Sequence, residues 1–515
     1  MKQTHHSISL VDGSLPGAAI NRVVAAMTAL AVLLGTAAFL QLWPFRPITS
    51  VSLAALLVFS AATLWVSKNS SWKPTRVHHK GAAVLTGTGV VGLIVSIAGA
   101  GMAWPMVMFW LGIGTTTAGA TWMIAARYAG AQRGLDNHGT MINPVTNRGA
   151  TGWMLGIVMT GFYVLIYWYP TALEGLTRTT DPLSWLLRGK AADHWFMYSL
   201  VYSLAVVVMG VRALYKYRHV RYQQIRTWSV MLVQVLLAFI IPSILVLFQQ
   251  PEFYFSYFWP LKWTYLWPGE YGIGWILESG GRTGVFMVFW GGVMSFVATP
   301  VLTYFYGKRW YCSWVCGCGG MAETLGDPYR HLAPRSTNSW RLERWMIHGV
   351  LAVIVLATAL LWINSATAGG LFGSFSGAVA KTYGFIFGSI WAGVIGVGFY
   401  PFLGTRIWCR FGCPMAAILG LQQRFFSRFR ITTNGAQCIS CGNCSAYCEM
   451  GIDVRWYAQR GQNIVRASCV GCGICSTVCP RGVLKLENGP LEGRLNGPVL
   501  IDRDEVDVID LPEFK

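Results

Sequence analysis

The chain has 515 residues, of which 12% are charged and 54% hydrophobic, with a net charge of +19. Soluble domains carry roughly 25% charged residues, so this composition excludes a soluble enzyme, a disordered tail and a fibrous repeat, and leaves a polytopic membrane protein. The excess of Lys and Arg fits the basic loops of such proteins rather than nucleic-acid binding, and no nucleic-acid partner is expected.

A spanning helix needs about 20 largely apolar residues. Charge-poor runs of that length occur at Val23–Phe45, Pro47–Ser67, Gly81–Ala126 (enough for two), Gly149–Leu173, His194–Val211, Thr227–Pro251 and Thr283–Gly307. Another starts at Trp345, and the last is Thr382–Thr405. Together they predict an all-α membrane bundle of about ten helices. No internal repeat is evident. Basic residues crowd alternate loops: Lys68, Lys73, Arg76 and Lys80; then Arg127, Arg133 and Arg148; then Arg212, Lys216, Arg218, Arg221 and Arg226. The positive-inside rule then places both termini in the cytoplasm of a bacterial inner membrane. The long first run, followed by more spans, reads as an anchor and not a signal peptide.

The organisation follows. Residues 1–20 form a cytoplasmic N-terminus and 21–282 an N-terminal membrane region of about seven helices. Residues 283–430 form a second membrane region, 431–485 a soluble α+β domain on the cytoplasmic side, and 486–515 an acidic tail.

Most of the chemistry lies in the 13 cysteines. The soluble part reads Cys438-x2-Cys441-x2-Cys444-x3-Cys448, then Cys469-x2-Cys472-x2-Cys475-x3-Cys479-Pro480. This is the spacing of a two-cluster ferredoxin, in which the fourth cysteine of each run ligates the other cluster. Cys438, Cys441, Cys444 and Cys479 are therefore expected to hold one [4Fe–4S] cluster, and Cys469, Cys472, Cys475 and Cys448 the second. Zinc suits paired CxxC motifs, but does not call for two four-cysteine runs. Glu449 and Met450 stand after Cys448, where proline is usual.

The other five cysteines follow spans. Cys312-x3-Cys316-Gly317-Cys318 comes after one, and Cys409-x3-Cys413-Pro414 after the last. A Cys-x3-Cys spacing is one helical turn, so both sulfurs can face one way. Two such pairs make a complete ligand set at the membrane edge, for a [4Fe–4S] or [2Fe–2S] cluster or a structural metal. Cys318 is a fifth thiol: a spare, an alternative ligand or a packing residue. Glu323 and Asp327, just beyond, could relay protons or pair with Arg330. Of nine histidines, seven lie outside the spans, and pairing the other two, His194 and His348 near span ends, would have to cross the membrane, so no haem is expected. Ala118-Gly119-Ala120-Thr121 reads as helix packing.

The pairing of these motifs with a two-cluster ferredoxin resembles the NapH/NosR-like family of membrane polyferredoxins, over about Thr283–Leu486. Cys409, Cys413 and Pro414 match its Cys-x3-Cys-Pro; Cys312 and Cys316 match the first copy, where Gly317 replaces the proline and Cys318 is added. The resemblance implies an electron-transfer protein accessory to periplasmic nitrate or nitrous oxide reduction. The expected function is a conduit between cytoplasmic-side clusters, the membrane-edge centre, and quinol or another redox membrane subunit, with a cytoplasmic electron donor as a further partner. Two other readings stand beside it. One is an assembly factor that reduces a metal ion for a metalloenzyme; the other is a redox-driven transporter.

Overall fold

The computed structural model describes residues 52, 55–63, 75–98, 105–128, 150–367 and 375–490. Among them, five helices are long and apolar enough to cross a membrane: His194–Lys216, Arg221–Leu247, Ile273–Tyr306, Thr337–Ala366 and Gly377–Ile395. Gly152–Trp168 is a sixth candidate if counted with Pro170–Arg178, into which it bends by 114°. The expected run Val23–Phe45 lies outside the described residues, as do most of Pro47–Ser67 and the tail from residue 491.

The predicted pair in Gly81–Ala126 is present as Arg76–Ala98 and Pro105–Tyr128. Glycine sets their closeness. A Cβ on Gly89 would come 2.4 Å from the Thr116 nitrogen, and one on Gly119 would come 2.5 Å from that of Thr86. Small residues let apolar helices approach to backbone contact, which is what Ala118-Gly119-Ala120 does here.

Ile273–Tyr306 breaks at Gly281, whose φ of +49° and ψ of −126° are not helical. The predicted run from Thr283 is thus its unbroken part. Thr337–Ala366 is capped by Ser336, whose hydroxyl accepts from the Ser339 N–H at 3.2 Å. Asp193 caps His194–Lys216 by accepting from Phe196 N–H at 2.8 Å. Each cap satisfies an orphan donor of a helix start.

The cysteine-rich C-terminal part is closed by a two-stranded antiparallel sheet, β1 (Phe429–Thr433) and β2 (Leu484–Asn488), paired from Phe429↔Asn488 to Thr433↔Leu484. Within it the chain repeats its backbone. Ser440 (φ +57°) and Gly471 (φ +64°) each precede the second cysteine of a run, and Gly442 (+79°) and Gly473 (+75°) each follow it. Left-handed residues at these places wrap each CxxCxxC loop around a common centre. Glycine adopts them without strain; Ser440 is the one exception of the four.

Helix ends fix which face this part sits on. Tyr222 donates to Gly471 O (2.9 Å) and Gln223 to Cys472 O (2.9 Å). The basic segment between His194–Lys216 and Arg221–Leu247 therefore lies against the cysteine-rich part, on the same face of the bundle. The other ends of these two helices point away from it.

Candidate metal centres

The eight C-terminal cysteines gather as two quartets. Cys438, Cys441, Cys444 and Cys479 line one small cavity with Ile439, Val483 and Leu484. Cys472, Cys469 and Cys448 lie close enough to Cys475 to push its thiol up, after burial, which is the larger cause; Cys444 of the other quartet contributes as well. The two quartets are thus neighbours. Converging soft sulfur donors in apolar surroundings suit an iron–sulfur cluster or another thiophilic metal.

The remaining cysteines form a third group. Cys312, Cys316, Cys409 and Cys413 are all nearly buried, between 4% and 6% exposed, and Cys409, Cys316 and Cys312 surround Cys413 within charge-interaction range. Cys318 joins them, hydrogen-bonded to Cys316. All three groups border one continuous apolar core that includes Cys312, Cys413, Cys444, Cys469 and Cys475.

The two membrane motifs differ from a regular helical turn. Cys312 ends the short helix Arg309–Cys312, and Cys316 stands extended before Gly317–Glu323. Likewise Cys409 lies in Trp408–Gly412, and Cys413 stands extended before Pro414–Phe426. In both, the second cysteine's N–H reaches back five residues: Cys316 to Tyr311 O at 2.8 Å, Cys413 to Trp408 O at 2.9 Å. The segments are therefore structural copies. Over these nine residues, Arg309–Gly317 and Arg406–Pro414, the two copies share only the arginine and the two cysteines.

The first motif packs against the helices of the bundle. After Gly307 (φ +67°) the chain turns inward. Gln234 is the midpoint of Arg221–Leu247, and its amide donates to Val315 O at 2.7 Å. Tyr202 donates to Gly317 O at 2.8 Å and to Gln234 Oε1 at 3.0 Å. From the opposite face, residues 250–272 fold in to meet this turn, and Tyr311 donates to Ser256 O at 2.8 Å. Irregular backbone at such depth persists only where protein covers it and satisfies its polar groups. Gln234, a buried polar residue in an apolar run, was the one sequence signal of this contact.

Gly317 stands where the second motif has Pro414. A Cβ there would lie 2.2 Å from the Tyr257 hydroxyl and 3.1 Å from that of Tyr202. The departure has a steric cause: these phenols occupy the space.

Sequence reasoning missed a buried charge network between the third group and the C-terminal quartets. Arg330 pairs with Glu323, with Asp327 at 3.0 Å and with Glu449. Arg406 pairs with Glu323 at 2.6 Å and Glu449 at 3.0 Å, and approaches Cys409 Sγ at 3.7 Å. Arg226 pairs with Glu323 and donates to Cys472 O at 3.2 Å. Asp327 also holds Arg212 at 2.7 Å and Lys216 at 2.8 Å. The Cys472 thiol lies within 4.8 Å of the Glu323 and Glu449 carboxylates. A path of ion pairs and hydrogen bonds thus links the Cys472 carbonyl through Arg226, Glu323 and Arg406 to Cys409 Sγ. Of the two readings for Glu323 and Asp327, both residues make the pairing with Arg330. Glu449, in the usual proline position, is the charged residue that the C-terminal part adds to this network.

Five cations face three carboxylates here. Burial pushes Asp327 up, but Lys216, Arg212 and Arg330 outweigh it and hold the carboxyl well below its usual range. Arg226, Arg330 and Arg406 do the same for Glu323. Glu449 is the opposite: burial dominates its two arginines and raises it.

Comparison with known proteins agrees with the chemistry. A 4Fe-4S binding domain family matches residues 288–336 and again 383–432, each copy containing one membrane motif, and a 4Fe-4S dicluster domain family matches 437–484. The chain carries iron–sulfur binding domains. Over 157 residues it is 29% identical to the "Putative electron transport protein YccM" of Escherichia coli (strain K12). That match covers 28% of this chain and 43% of the relative, so the chain spans less than half of the protein it resembles. No solved structure matches. The double match to one family also corrects the expectation of no internal repeat.

Proposed function

We propose that this is an integral-membrane electron conduit of the NapH/NosR-like type with three iron–sulfur centres. Cys438, Cys441, Cys444 and Cys479 hold one [4Fe–4S] cluster; Cys469, Cys472, Cys475 and Cys448 hold the second. Cys312, Cys316, Cys409 and Cys413 hold a third Cys-ligated centre inside the membrane bundle. Electrons pass between these centres and quinol or a redox subunit in the same membrane, within a respiratory chain. The cysteine-rich domain and both termini face the bacterial cytoplasm.

The observation that carries this reading is the continuity between groups. One apolar core borders all three cysteine quartets, and the Arg226–Glu323–Arg406 path spans the gap from Cys472 to Cys409. The centres would supply one-electron redox chemistry. The chain's part is to ligate, bury and hydrogen-bond them, which sets their potentials. An excess of buried cations suits thiolate clusters, whose net charge is negative and becomes more so on reduction.

The test is electron paramagnetic resonance of the anaerobically purified full chain after dithionite, with Cys409→Ser alongside. A signal present in the parent and absent from Cys409→Ser, over an unchanged dicluster spectrum, supports the third centre. Identical spectra for the two proteins overturn it.

A further inference from the structure

We propose that the face of the cysteine-rich domain around the Cys438 quartet docks a soluble, acidic, one-electron carrier protein. The proposal rests on the electron-conduit reading and gives the solvent-side end of the conduit a docking face and a partner chemistry.

The two C-terminal quartets differ in cover. The bundle lies over the Cys469 quartet: Gln223 and Arg226 donate to Cys472 O at 2.9 and 3.2 Å, and Ser313 donates to Val470 O at 2.8 Å. The Cys438 quartet reaches the surface instead. Cys441 is exposed, Cys438 and Cys479 are half-buried, and Cys444 is buried. Cys444 is also the member that neighbours Cys475 of the covered quartet. The Cys438 quartet is therefore the end of the row that a soluble protein can approach.

That end is basic. Arg455 and Arg481 line the same small cavity as the four cysteines; both are exposed and stand outside the buried charge network. Gln459 donates to the Ser440 hydroxyl at 2.8 Å, which ties the helix carrying Arg455, Val454–Gln459, to the loop that carries Cys438 and Cys441. Across 438–490 the exposed cations are Arg455, Arg460, Arg481 and Lys485, against one exposed carboxylate, Asp453. Such an excess favours a negatively charged partner, speeds its encounter and orients it. Ile439, next to Cys438, is 53% exposed and offers an apolar contact in the middle of the charged rim. A small apolar spot ringed by charge suits the weak, short-lived contacts of electron carriers, which bury less than about 1,200 Å².

The chain's own tail is a competing occupant, since Asp502, Asp504, Glu505, Asp507 and Asp510 make it acidic. Its point of departure favours the carrier. Strand β2 begins at Leu484 in the cavity and ends at Asn488, which accepts from Arg309 of the membrane part at 3.0 Å. The tail thus leaves the domain on the bundle side and not beside the quartet.

The step is a single electron transfer. One electron leaves the carrier, which is oxidised, and enters the chain at the Cys438 quartet, which is thereby reduced. No bond forms or breaks and no proton moves.

Calorimetric titration of an oxidised plant-type [2Fe–2S] ferredoxin, a small acidic carrier, into the full chain in neutral-lipid nanodiscs tests this. We expect saturable one-to-one binding, weakened about tenfold between about 0.05 and 0.5 M salt as screening shortens the reach of the charges. Arg455→Gln/Arg481→Gln should weaken it by about tenfold at low salt while keeping the parent's iron content and dithionite-reduced spectrum. If that variant loses iron, the parent's salt dependence and Ile439→Asp, which sets a like charge against the acidic carrier, decide in its place. Absence of binding, a Kd indifferent to salt, or an unchanged Kd in an iron-replete double variant overturns the proposal. Binding that appears only in a chain carrying Asp502→Asn, Asp504→Asn and Glu505→Gln assigns the face to the tail and overturns it too. Each of these results leaves the conduit reading intact, whereas loss of the third centre's signal from the parent defeats that reading whatever the titration gives.

Discussion

Arg406 and Glu449 form an ion pair at 3.0 Å, with both side chains fully buried. Arg406 belongs to the membrane part and Glu449 follows a cysteine of the dicluster domain. The pair is therefore one of two, with Arg330–Glu449, that join the two iron–sulfur regions through charge. Arg406 also reaches Cys409 Sγ and Cys312 O, so it touches the third cysteine group with the same guanidinium.

Arg330 should be the least replaceable cation of this network. It pairs with Glu323, Asp327 and Glu449 at once. Removing one partner of a buried pair leaves uncompensated charge, at a cost of about 3–5 kcal/mol. Arg330→Met is expected to lower the thermal unfolding midpoint and expose the dicluster domain to protease. An unchanged midpoint and cleavage pattern would show that the network does not hold the two regions together.

Acid should act through the same residues. Asp327 and Glu323 have depressed pKa values, so the stability they give is present above their unfolded values and fades as pH falls through the folded ones. Glu449, raised by burial, contributes with the opposite sign, greatest below its unfolded value and lost as pH rises. The two depressed groups predict a decline below pH ~4 and, for their own part, a plateau above pH ~5, from which Glu449 subtracts as pH rises through its raised value. Asp327→Asn should be less stable on the plateau and decline less steeply. Unfolding midpoints by near-ultraviolet circular dichroism across pH 3–8 check this, and an identical acid limb in the variant would contradict it.

Gly317 and Tyr257 should behave as a coupled pair. Gly317→Ala places a Cβ 2.2 Å from the Tyr257 hydroxyl, an overpacking worth about 1–3 kcal/mol. Tyr257→Phe removes the colliding oxygen. The double variant should recover most of the stability lost in Gly317→Ala, a positive coupling in a double-mutant cycle. Additive losses would mean that the phenol is not what excludes a side chain at 317.

Gln234 should matter although it sits in an apolar helix. Gln234→Leu strips the partner from Val315 O and one acceptor from Tyr202. We expect a loss of about 1–2 kcal/mol in urea unfolding, together with partial loss of iron from the third centre. Equal stability of variant and parent would assign the residue no structural role.

The cysteine quartets were legible from the sequence because ligand spacing is local: two residues between thiols shape one loop whatever surrounds it. The later apolar runs, from His194 onward, were legible for the same reason. The charge network was not, since Arg226, Arg330, Arg406 and Glu449 lie far apart in the chain and acquire meaning only when their elements pack. Nor was the inward turn at Cys312–Cys318. Its basic start, Lys308-Arg309, reads as an ordinary loop, and only Gln234 inside an apolar run hinted that a polar backbone lay beside it.

The most direct test of three centres is iron and acid-labile sulfide per chain, measured anaerobically on the parent and on Cys312→Ser/Cys409→Ser. Two cubanes account for about eight irons, and a third centre adds about two to four. The account predicts about ten to twelve in the parent, falling to about eight in the variant. About eight in both would contradict it and confine the iron to the dicluster domain.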